Sequence, residues 1–230
     1  MAPSLNYKKK KRVAFFGDSI CVGQGFSLHK GWVTRVAKYL EESAGDFEWE
    51  IEVMNSSVNG RTTRQALEDM PYHIQTQQID VLIIQFGLND CNYWQTDPGV
   101  PRVSREAFKA NLKEMLDRAF KSGVDIVLLN NNHPTPRTEI IDNERHLTFE
   151  ESNASYCLSV AEVAGEQKSG VMFTDIHSLI SQRCKDQNIS PSDFVLQDGI
   201  HLSESGHDIY YEILLPVIKK AIASLGSTEK

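Results

Sequence analysis

Cysteine is scarce in this chain, and its cysteines lie far apart. The 230 residues include four, Cys21, Cys91, Cys157 and Cys184, and no C-x-x-C pair. Paired spacing is the usual signature of zinc ribbons and redox-active disulfides, and disulfide frameworks belong mainly to small secreted domains. We therefore predict reduced thiols that serve mostly as packing groups.

Long apolar runs are also missing. No segment approaches the ~18 apolar residues that a membrane-spanning helix needs, so we predict no membrane span. The run Val13–Phe16 follows a basic stretch, as in a signal peptide. It is short, however, it is interrupted by Gly17 and Asp18, and no small-residue cleavage site follows it. We expect a cytoplasmic protein.

Positive charge is outnumbered by negative charge. The chain has 24 Lys and Arg against 31 Asp and Glu, a formal net charge of -7. Binding to nucleic-acid phosphates needs concentrated Lys and Arg, so we predict no nucleic-acid partner. The one basic cluster is Lys8–Arg12. We interpret residues 1–11 as a solvated basic tail and residues 226–230 as a C-terminal tail.

Metal-ligand spacing is not found among six of the seven histidines. No two of them combine with a nearby Cys or Glu at the spacing of a metal site; they are His29, His73, His133, His146, His177 and His207. We therefore expect neither a metal nor another cofactor.

Five short apolar runs indicate strands. Each is continuously apolar rather than alternating, which is typical of strands covered on both faces in a parallel sheet. The runs are Val13–Phe16, Ile51–Met54, Val81–Phe86, Ile126–Leu129 and Val171–Phe173.

Helical patterns separate these strands. Apolar stripes at helical spacing lie in Trp32–Leu40, Ser104–Lys121, Asn153–Ala164 and Glu204–Leu225. Strands that alternate with helices predict a doubly wound α/β sheet with right-handed crossovers. No repeat or break in composition marks a second domain, so we expect one domain over residues 1–230.

Three loops after strands are long enough to bind a ligand, namely Cys91–Val103, Asn130–Glu150 and Cys184–Gln197. In the first, Tyr93 and Trp94 are candidates for an apolar or sugar-stacking wall, with ordinary loop packing as the alternative. In the second, His133 is either a substrate contact or a surface histidine.

Ser19 is the candidate nucleophile. It lies two residues beyond Gly17 at the end of the first strand run, in a turn that opens a helix-like segment, where backbone N–H groups are free to bind an oxygen. The surroundings are neither Gly-x-Ser-x-Gly nor a phosphate loop. A serine in such a turn can instead be a helix N-cap. Asp18 beside it is either a local hydrogen-bond anchor or a substrate contact.

His201 is the candidate base, and Asp198 is the candidate partner that orients it. At a spacing of three residues, the carboxylate can bind one ring nitrogen and leave the other facing a serine. The alternative is a helix cap with a surface histidine. Asn89, after the third strand, is a candidate oxyanion donor, and Gly60, after the second, would let a backbone amide approach a ligand.

Four ordered segments resemble the motif blocks of the SGNH (GDSL-type) hydrolase family: Phe16–Ile20, Asn55–Thr63, Phe86–Asp90 and Asp198–Gly206. The resemblance spans residues 13 to about 214. By motif position, the family's four name-giving residues fall on Ser19, Gly60, Asn89 and His201, and its aspartate falls on Asp198. Cys21 and Val22 depart from the Thr-Glu of many relatives.

This resemblance implies a flavodoxin-like, three-layer α/β/α sandwich and metal-independent cleavage of esters, commonly acetyl esters. It also implies an oxyanion hole formed by the amides of Ser19 and Gly60 with the Asn89 side chain. We expect a serine esterase for a small ester, such as an acetylated sugar. An acyltransferase with the same triad and a non-catalytic binding module are the alternatives.

Overall fold

A five-stranded parallel sheet forms the centre of the structure, a computed structural model that describes residues 10–43, 47–167 and 169–225. Numbered in chain order, its strands lie side by side as β2 (Glu50–Asn55), β1 (Lys10–Gly17), β3 (Val81–Gln85), β4 (Ile126–Asn130) and β7 (Val171–Thr174). All five predicted apolar runs lie in these strands, apart from Phe86, which comes directly after β3. The predicted parallel sheet is confirmed.

Seven α-helices connect or flank the strands in the described part of the chain. They are α1 (Ser19–Val22), α2 (Trp32–Glu42), α3 (Thr63–Met70), α4 (Arg105–Lys121), α5 (Phe149–Gly165), α6 (Ile176–Gln187) and α7 (Glu204–Ser224). The strand order places α2 and α7 on one face of the sheet and α3, α4 and α5 on the other. This is the predicted three-layer α/β/α sandwich.

Local signals set the ends of the helices. Ser104, the first residue of the predicted helical pattern, caps α4, where its side chain accepts a hydrogen bond from the amide of Ala107. Thr148 and Glu151 form a capping box at the start of α5. The helix therefore begins at Phe149, four residues before the predicted start at Asn153, so α5 is one turn longer at its N-terminus.

Besides the short 3-10 turn Pro191–Asp193, three parts of the fold are not among the predicted elements. They are α3 with the π-helical turn Pro71–Gln75 that follows it, α6, and a two-stranded ribbon of β5 (Ile140–Asp142) and β6 (Leu147–Thr148). The ribbon lies inside the predicted loop 130–150. Helix α6 takes up the start of the predicted loop 184–197, because Asp175 caps it and its buried stripe of Ile176, Ile180 and Cys184 has helical spacing.

Part of the predicted basic tail belongs to the sheet. Lys10 and Lys11 lie in β1, and Lys11 forms an ion pair with Asp80 with 2.6 Å between Nζ and Oδ1. The remaining residues of that tail, 1–9, and the predicted C-terminal tail, 226–230, lie outside the described residues. Lys10 and Lys11 belong to the sheet and not to a tail because they pair with Glu50 and Ile51 of β2, which extends β1 beyond its apolar run.

The register of the sheet aligns the carboxyl ends of its strands. Gly17 in β1 is opposite Gln85 in β3, Gln85 is opposite Asn130 in β4, and Asn130 is opposite Thr174 in β7. Buried apolar side chains fill the strands up to this row. The chain therefore leaves the sheet at one edge with the segments that carry Ser19 and Asn89, as expected for a ligand site in such a fold.

Candidate active site

Ser19 is the first residue of the short helix α1, directly after β1. Asp18 is the N-cap, and its carboxylate accepts a hydrogen bond from the amide of Ile20 at 3.0 Å. The turn is tight, because a Cβ atom on Gly17 would lie 2.7 Å from the sulfur of Cys21 and 2.8 Å from the carbonyl of Gln85. Ser19 itself is only 5% exposed. As the first helical residue, it has a backbone N–H with no partner inside the helix.

His201 joins Ser19 to Asp198. The hydroxyl of Ser19 lies 2.9 Å from Nε2 of His201, and Nδ1 of His201 lies 2.6 Å from Oδ2 of Asp198. A carboxylate only accepts, so Nδ1 carries the proton and Nε2 accepts from Ser19. The two segments are 182 residues apart in the chain. The structure thus brings the three predicted residues into one hydrogen-bonded relay.

Asp198 holds the turn that presents His201. Its Oδ1 accepts hydrogen bonds from the amides of Ile200 and His201, both at 2.9 Å. Burial raises the pKa of Asp198, but the hydrogen bonds from the ring and amide of His201 and the amide of Ile200 outweigh it, so the pKa lies below its ordinary value. Asp198 is therefore a carboxylate that can stabilise a positive charge on His201.

Asn89 follows β3 and is held at both ends of its amide. Its Nδ2 donates to Oδ2 of Asp18 at 3.2 Å, and its Oδ1 accepts from Nη1 of Arg102 at 3.0 Å. The amide nitrogen carries a second hydrogen, which remains available to a ligand.

Gly60 lies in an exposed turn after β2. Its φ of 73° is in the left-handed region, which suits glycine. Arg102 donates from Nη2 to the carbonyl of Gly60 at 2.9 Å, so one guanidinium connects Gly60 with Asn89. The base of this turn is fixed by the buried Arg61, which donates to the carbonyl of Ser56 at 2.8 Å.

Asp18 is an anchor and not a substrate contact. It is 0% exposed, and both of its oxygens are bonded inside the protein, to Ile20 and Asn89. Burial raises its pKa to about 7, with a further increase from the nearby Asp90, while the Ile20 amide, His201 and Asn89 lower it. The prediction that Asp18 binds substrate is therefore wrong, because no surface of the side chain is accessible.

His133 is also an interior residue, so both alternatives for it, substrate contact and surface histidine, are wrong. It is 0% exposed, its Nδ1 lies 2.7 Å from the hydroxyl of Tyr210, and its Nε2 lies 2.8 Å from the carbonyl of Ile200. Burial lowers its pKa to about 4, so the ring is neutral. The loop that carries His133 thus packs in the interior against Ile200, the residue before His201.

Tyr93 and Trp94 belong to the loop between β3 and α4, which is closed by a bridge between Tyr93 and Pro101. Trp94 is 53% exposed, and its ring packs against the guanidinium of Arg102 at 4.7 Å. A cavity of about 440 Å³ next to these two side chains is lined by Thr62, Arg64, Gln65, Trp94, Asp97, Val100, Pro101 and Arg102. Substrate contact by Tyr93 or Trp94 stays a prediction.

Arg102, Tyr210 and Gln85 are residues that the sequence did not single out. Gln85 donates to the hydroxyl of Tyr210 at 3.1 Å, and this hydroxyl in turn bonds to His133. The only local signal was a polar residue in the otherwise apolar run that forms β3. No local pattern marks Arg102, because its partners are 13 and 42 residues away, Asn89 in the same connection between β3 and α4 and Gly60 in the loop after β2.

Two further properties of the described chain concern metal binding and membrane insertion. Within residues 10–43, 47–167 and 169–225, no group of three or more His, Cys, Asp or Glu side chains is arranged to hold a metal ion. None of the helices in this same part of the chain is long and apolar enough to cross a membrane.

Comparison with known proteins assigns the chain to a family. The model of the GDSL-like Lipase/Acylhydrolase family matches residues 15–209. This range includes the whole relay and both oxyanion candidates. The chain therefore belongs to the GDSL-like lipase/acylhydrolase family, and it is a carboxylic ester hydrolase of the SGNH type.

Curated relatives include esterases. The isoamyl acetate-hydrolyzing esterase 1 homolog of Homo sapiens is 29% identical over 236 residues, which cover 93% of this chain and 84% of that protein. An arylesterase of Vibrio mimicus is 24% identical over 52% of this chain and 54% of its own length.

Solved structures share the fold. An acetylxylan esterase from Geobacillus stearothermophilus matches with a TM-score of 0.72 and 20% identity, over 92% of this chain and 94% of that one. A lipase/acylhydrolase from Enterococcus faecalis matches with a TM-score of 0.68 and 20% identity, over 91% and 96% of the two chains. At these sequence identities, the likeness shows a shared fold alone.

Proposed function

We propose that this enzyme is a serine esterase that hydrolyses short-chain, acetyl-type esters through an acyl-enzyme on Ser19. The observation that carries the proposal is the unbroken relay from the Ser19 hydroxyl through His201 to the Asp198 carboxylate. A hydroxyl is a weak nucleophile until a base takes its proton, and a neutral imidazole at 2.9 Å is well placed to do so.

In the first half of the reaction, the oxygen of Ser19 attacks the ester carbonyl while its proton moves to Nε2 of His201. Asp198 stabilises the resulting imidazolium through the proton on Nδ1. The tetrahedral intermediate collapses, the bond to the alcohol oxygen breaks, and His201 returns the proton to that oxygen. The alcohol leaves, and the acyl group remains on Ser19.

The oxyanion is stabilised by three donors in this proposal: the second N–H of Asn89 and the backbone amides of Ser19 and Gly60. No hydrogen bond within the described chain uses either backbone amide. Donors that are already fixed in place stabilise the developing charge without a reorganisation cost in the transition state.

In the second half, water replaces the alcohol. His201 removes a proton from the water as it attacks the acyl carbonyl, and the same donors hold the second oxyanion. Collapse releases the carboxylic acid and returns the proton to Ser19, so the enzyme is regenerated. No redox partner or metal takes part in these steps.

Relatives support the choice of an acetyl ester. The human relative is named as a homolog of an isoamyl acetate-hydrolyzing esterase. The acetylxylan esterase with the same fold has three solved variants described as catalytic mutants, which replace a serine, an aspartate and a histidine with alanine. These are the residue types of the relay described above.

An O-acetylated carbohydrate is the substrate class that we favour. The cavity beside Arg102 has several polar side chains in its lining, Thr62, Arg64, Gln65 and Asp97, and Trp94 is exposed at its rim. Hydroxyl-rich alcohols need such hydrogen-bonding groups, and the flat face of an indole suits a sugar ring.

The proposal is tested with purified protein and p-nitrophenyl acetate. We expect turnover by the wild type and a loss of at least ~10³-fold in kcat for Ser19→Ala, because only binding and the oxyanion donors remain. Mass spectrometry of the wild type, quenched during turnover, should show one added acetyl group, and Ser19→Ala should show none. Ser203→Ala, which alters the half-buried N-cap serine of α7, is the matched control.

Three outcomes contradict the proposal in different ways. Near-wild-type turnover in folded Ser19→Ala removes Ser19 from the mechanism. Binding of esters without turnover in the wild type identifies a binding module. Transfer of acetyl to an added sugar, in preference to water, identifies an acyltransferase.

A further inference from the structure

Arg102 contacts both of the groups that, with Ser19, form the proposed oxyanion hole. It donates from Nη1 to Oδ1 of Asn89 at 3.0 Å and from Nη2 to the carbonyl of Gly60 at 2.9 Å. These two partners follow different strands, β3 and β2. The guanidinium therefore links two loops that no described backbone hydrogen bond joins directly.

The chemistry of these bonds fixes the direction of the Asn89 amide. A guanidinium has five N–H donors and no acceptor, so Asn89 must present its oxygen to Arg102. Its nitrogen then faces Asp18 and the reaction centre. In the reverse orientation the N–H groups of Asn89 would face the positively charged Arg102. The amide oxygen of Asn89 would then face Oδ2 of Asp18, which now accepts from Nδ2 at 3.2 Å.

Asp18 cannot fix this orientation by itself. Burial raises its pKa to about 7, so near neutral pH part of the population has a protonated carboxyl group. A protonated carboxyl can donate as well as accept, and it could therefore satisfy either orientation of Asn89. Arg102 stays charged under these conditions and always donates.

We propose that Arg102 is a positioning residue, which keeps the donating N–H of Asn89 and the turn at Gly60 aimed at the oxyanion. This inference rests on the proposed function. Arg102 does not touch the reacting atoms in this role and acts through its two partners. Its positive charge at Oδ1 also polarises the amide of Asn89, which makes the N–H a stronger donor.

Arg102 is itself firmly placed. Its backbone amide donates to the carbonyl of Asn92 at 2.8 Å, and its guanidinium packs against the ring of Trp94 at 4.7 Å. Stacking on an aromatic face leaves the in-plane N–H groups free for Asn89 and Gly60. Trp94 thus supports the position of Arg102 in addition to lining the rim.

The test is a double-mutant cycle on p-nitrophenyl acetate with Arg102→Met and Asn89→Ala. We expect Arg102→Met to lower kcat by about 10- to 100-fold with little change in KM, because the loss falls on the transition state. In the Asn89→Ala background, Arg102→Met should lower kcat by a factor several-fold smaller than in the wild type, because Asn89, the main partner of Arg102, is already absent. Added guanidinium at low concentration should restore part of the activity of Arg102→Met.

Arg105→Met is the matched control. This arginine lies three residues further on, at the start of α4, and bonds to Ser159 and Glu162 away from Asn89. We expect wild-type kcat for it and additive behaviour with Asn89→Ala. Thermal unfolding of every variant shows whether the fold is kept, and if Arg102→Met does not fold, the cycle is measured with Arg102→Lys.

Two results would overturn the inference. Additive effects of Arg102 and Asn89 on kcat would mean that Arg102 does not act through Asn89. A change confined to KM would make Arg102 a ground-state contact of the substrate. Either result is separable from failure of the proposed function, because that function is tested by other measurements: turnover by the wild type, the effect of Ser19→Ala, transfer to an added sugar and the preferred acyl length.

Discussion

Nε2 of His133 lies 2.8 Å from the carbonyl oxygen of Ile200, the residue directly before His201. A carbonyl only accepts, so Nε2 carries the proton and Nδ1 accepts from the hydroxyl of Tyr210 at 2.7 Å. Tyr210 accepts in turn from Gln85 in the central strand β3. A buried chain of hydrogen bonds thus connects the sheet to the segment that presents His201.

We predict that His133→Leu lowers kcat by about 10-fold and lowers stability by ~1–3 kcal/mol, because the carbonyl of Ile200 loses its partner in the interior. Without that bond, the turn from Asp198 to His201 can shift, and a small displacement of a base is costly to catalysis. Esterase assays and urea unfolding measure the two effects. Exposed His73→Ala is the control, and unchanged kcat in His133→Leu would show that Asp198 alone positions His201.

Asn89→Ala should lower kcat by about 10²–10³-fold with a smaller effect on KM, because the side chain acts on charge that develops in the transition state. Steady-state kinetics on p-nitrophenyl acetate give both constants. Asn92→Ala, in the same loop, serves as the control. If the substitution at Asn89 alters only KM, the side chain binds the substrate in its ground state instead.

Asp90 should make stability depend on pH. It is fully buried, and its Oδ1 accepts from the amide and the hydroxyl of Thr63, whereas its Oδ2 has no hydrogen-bond partner among the residues that the structure describes. Burial raises its pKa to about 6, against the lowering effect of the bonds from Thr63. Between pH ~4, where an unfolded carboxyl ionises, and about 6, the folded state therefore binds more protons than the unfolded state.

It follows that Asp90 contributes a stability that falls as pH rises through this window, by at most about 1.4 kcal/mol per pH unit. In Asp90→Asn this dependence is absent, so the free energy of unfolding of the variant should gain on that of the wild type from pH 4 to pH 6. Urea unfolding followed by tryptophan fluorescence measures both curves. Asp97→Asn removes an exposed carboxylate for comparison, and parallel curves for Asp90→Asn and the wild type would refute the prediction.

We expect kcat/KM to depend on the length of the acyl chain. A long acyl chain gains ~0.8 kcal/mol for each buried CH₂ only if an apolar channel receives it. The loops 91–103 and 130–150, which follow β3 and β4, carry mostly polar side chains apart from Tyr93, Trp94 and a few aliphatic residues, so we predict a preference for acetyl over octanoyl esters. Measurements of kcat/KM on p-nitrophenyl esters from acetyl to decanoyl decide the matter. A maximum at octanoyl or longer would exclude the acetyl-ester proposal.

The strands were predictable because each depends on a short local pattern. Val13–Phe16 and Val81–Ile84 are apolar at every position, and such runs are buried on both faces of a parallel sheet whatever the rest of the chain does. Helix α3 has no comparable pattern, because its apolar stripe is short and the main local signal for its start is the capping box of Thr62 and Gln65.

The sequence also determined which residues form the relay and the oxyanion candidates, because Ser19, Gly60, Asn89, Asp198 and His201 each lie in a short motif at the end of an apolar run or before a helix. The tertiary structure alone decided the roles of Asp18, His133 and Arg102. The partners of His133 and Arg102 are 67 and 42 residues away, at Ile200 and Gly60. Burial and hydrogen bonding of this kind depend on how distant loops pack, and no pattern of neighbouring residues records that.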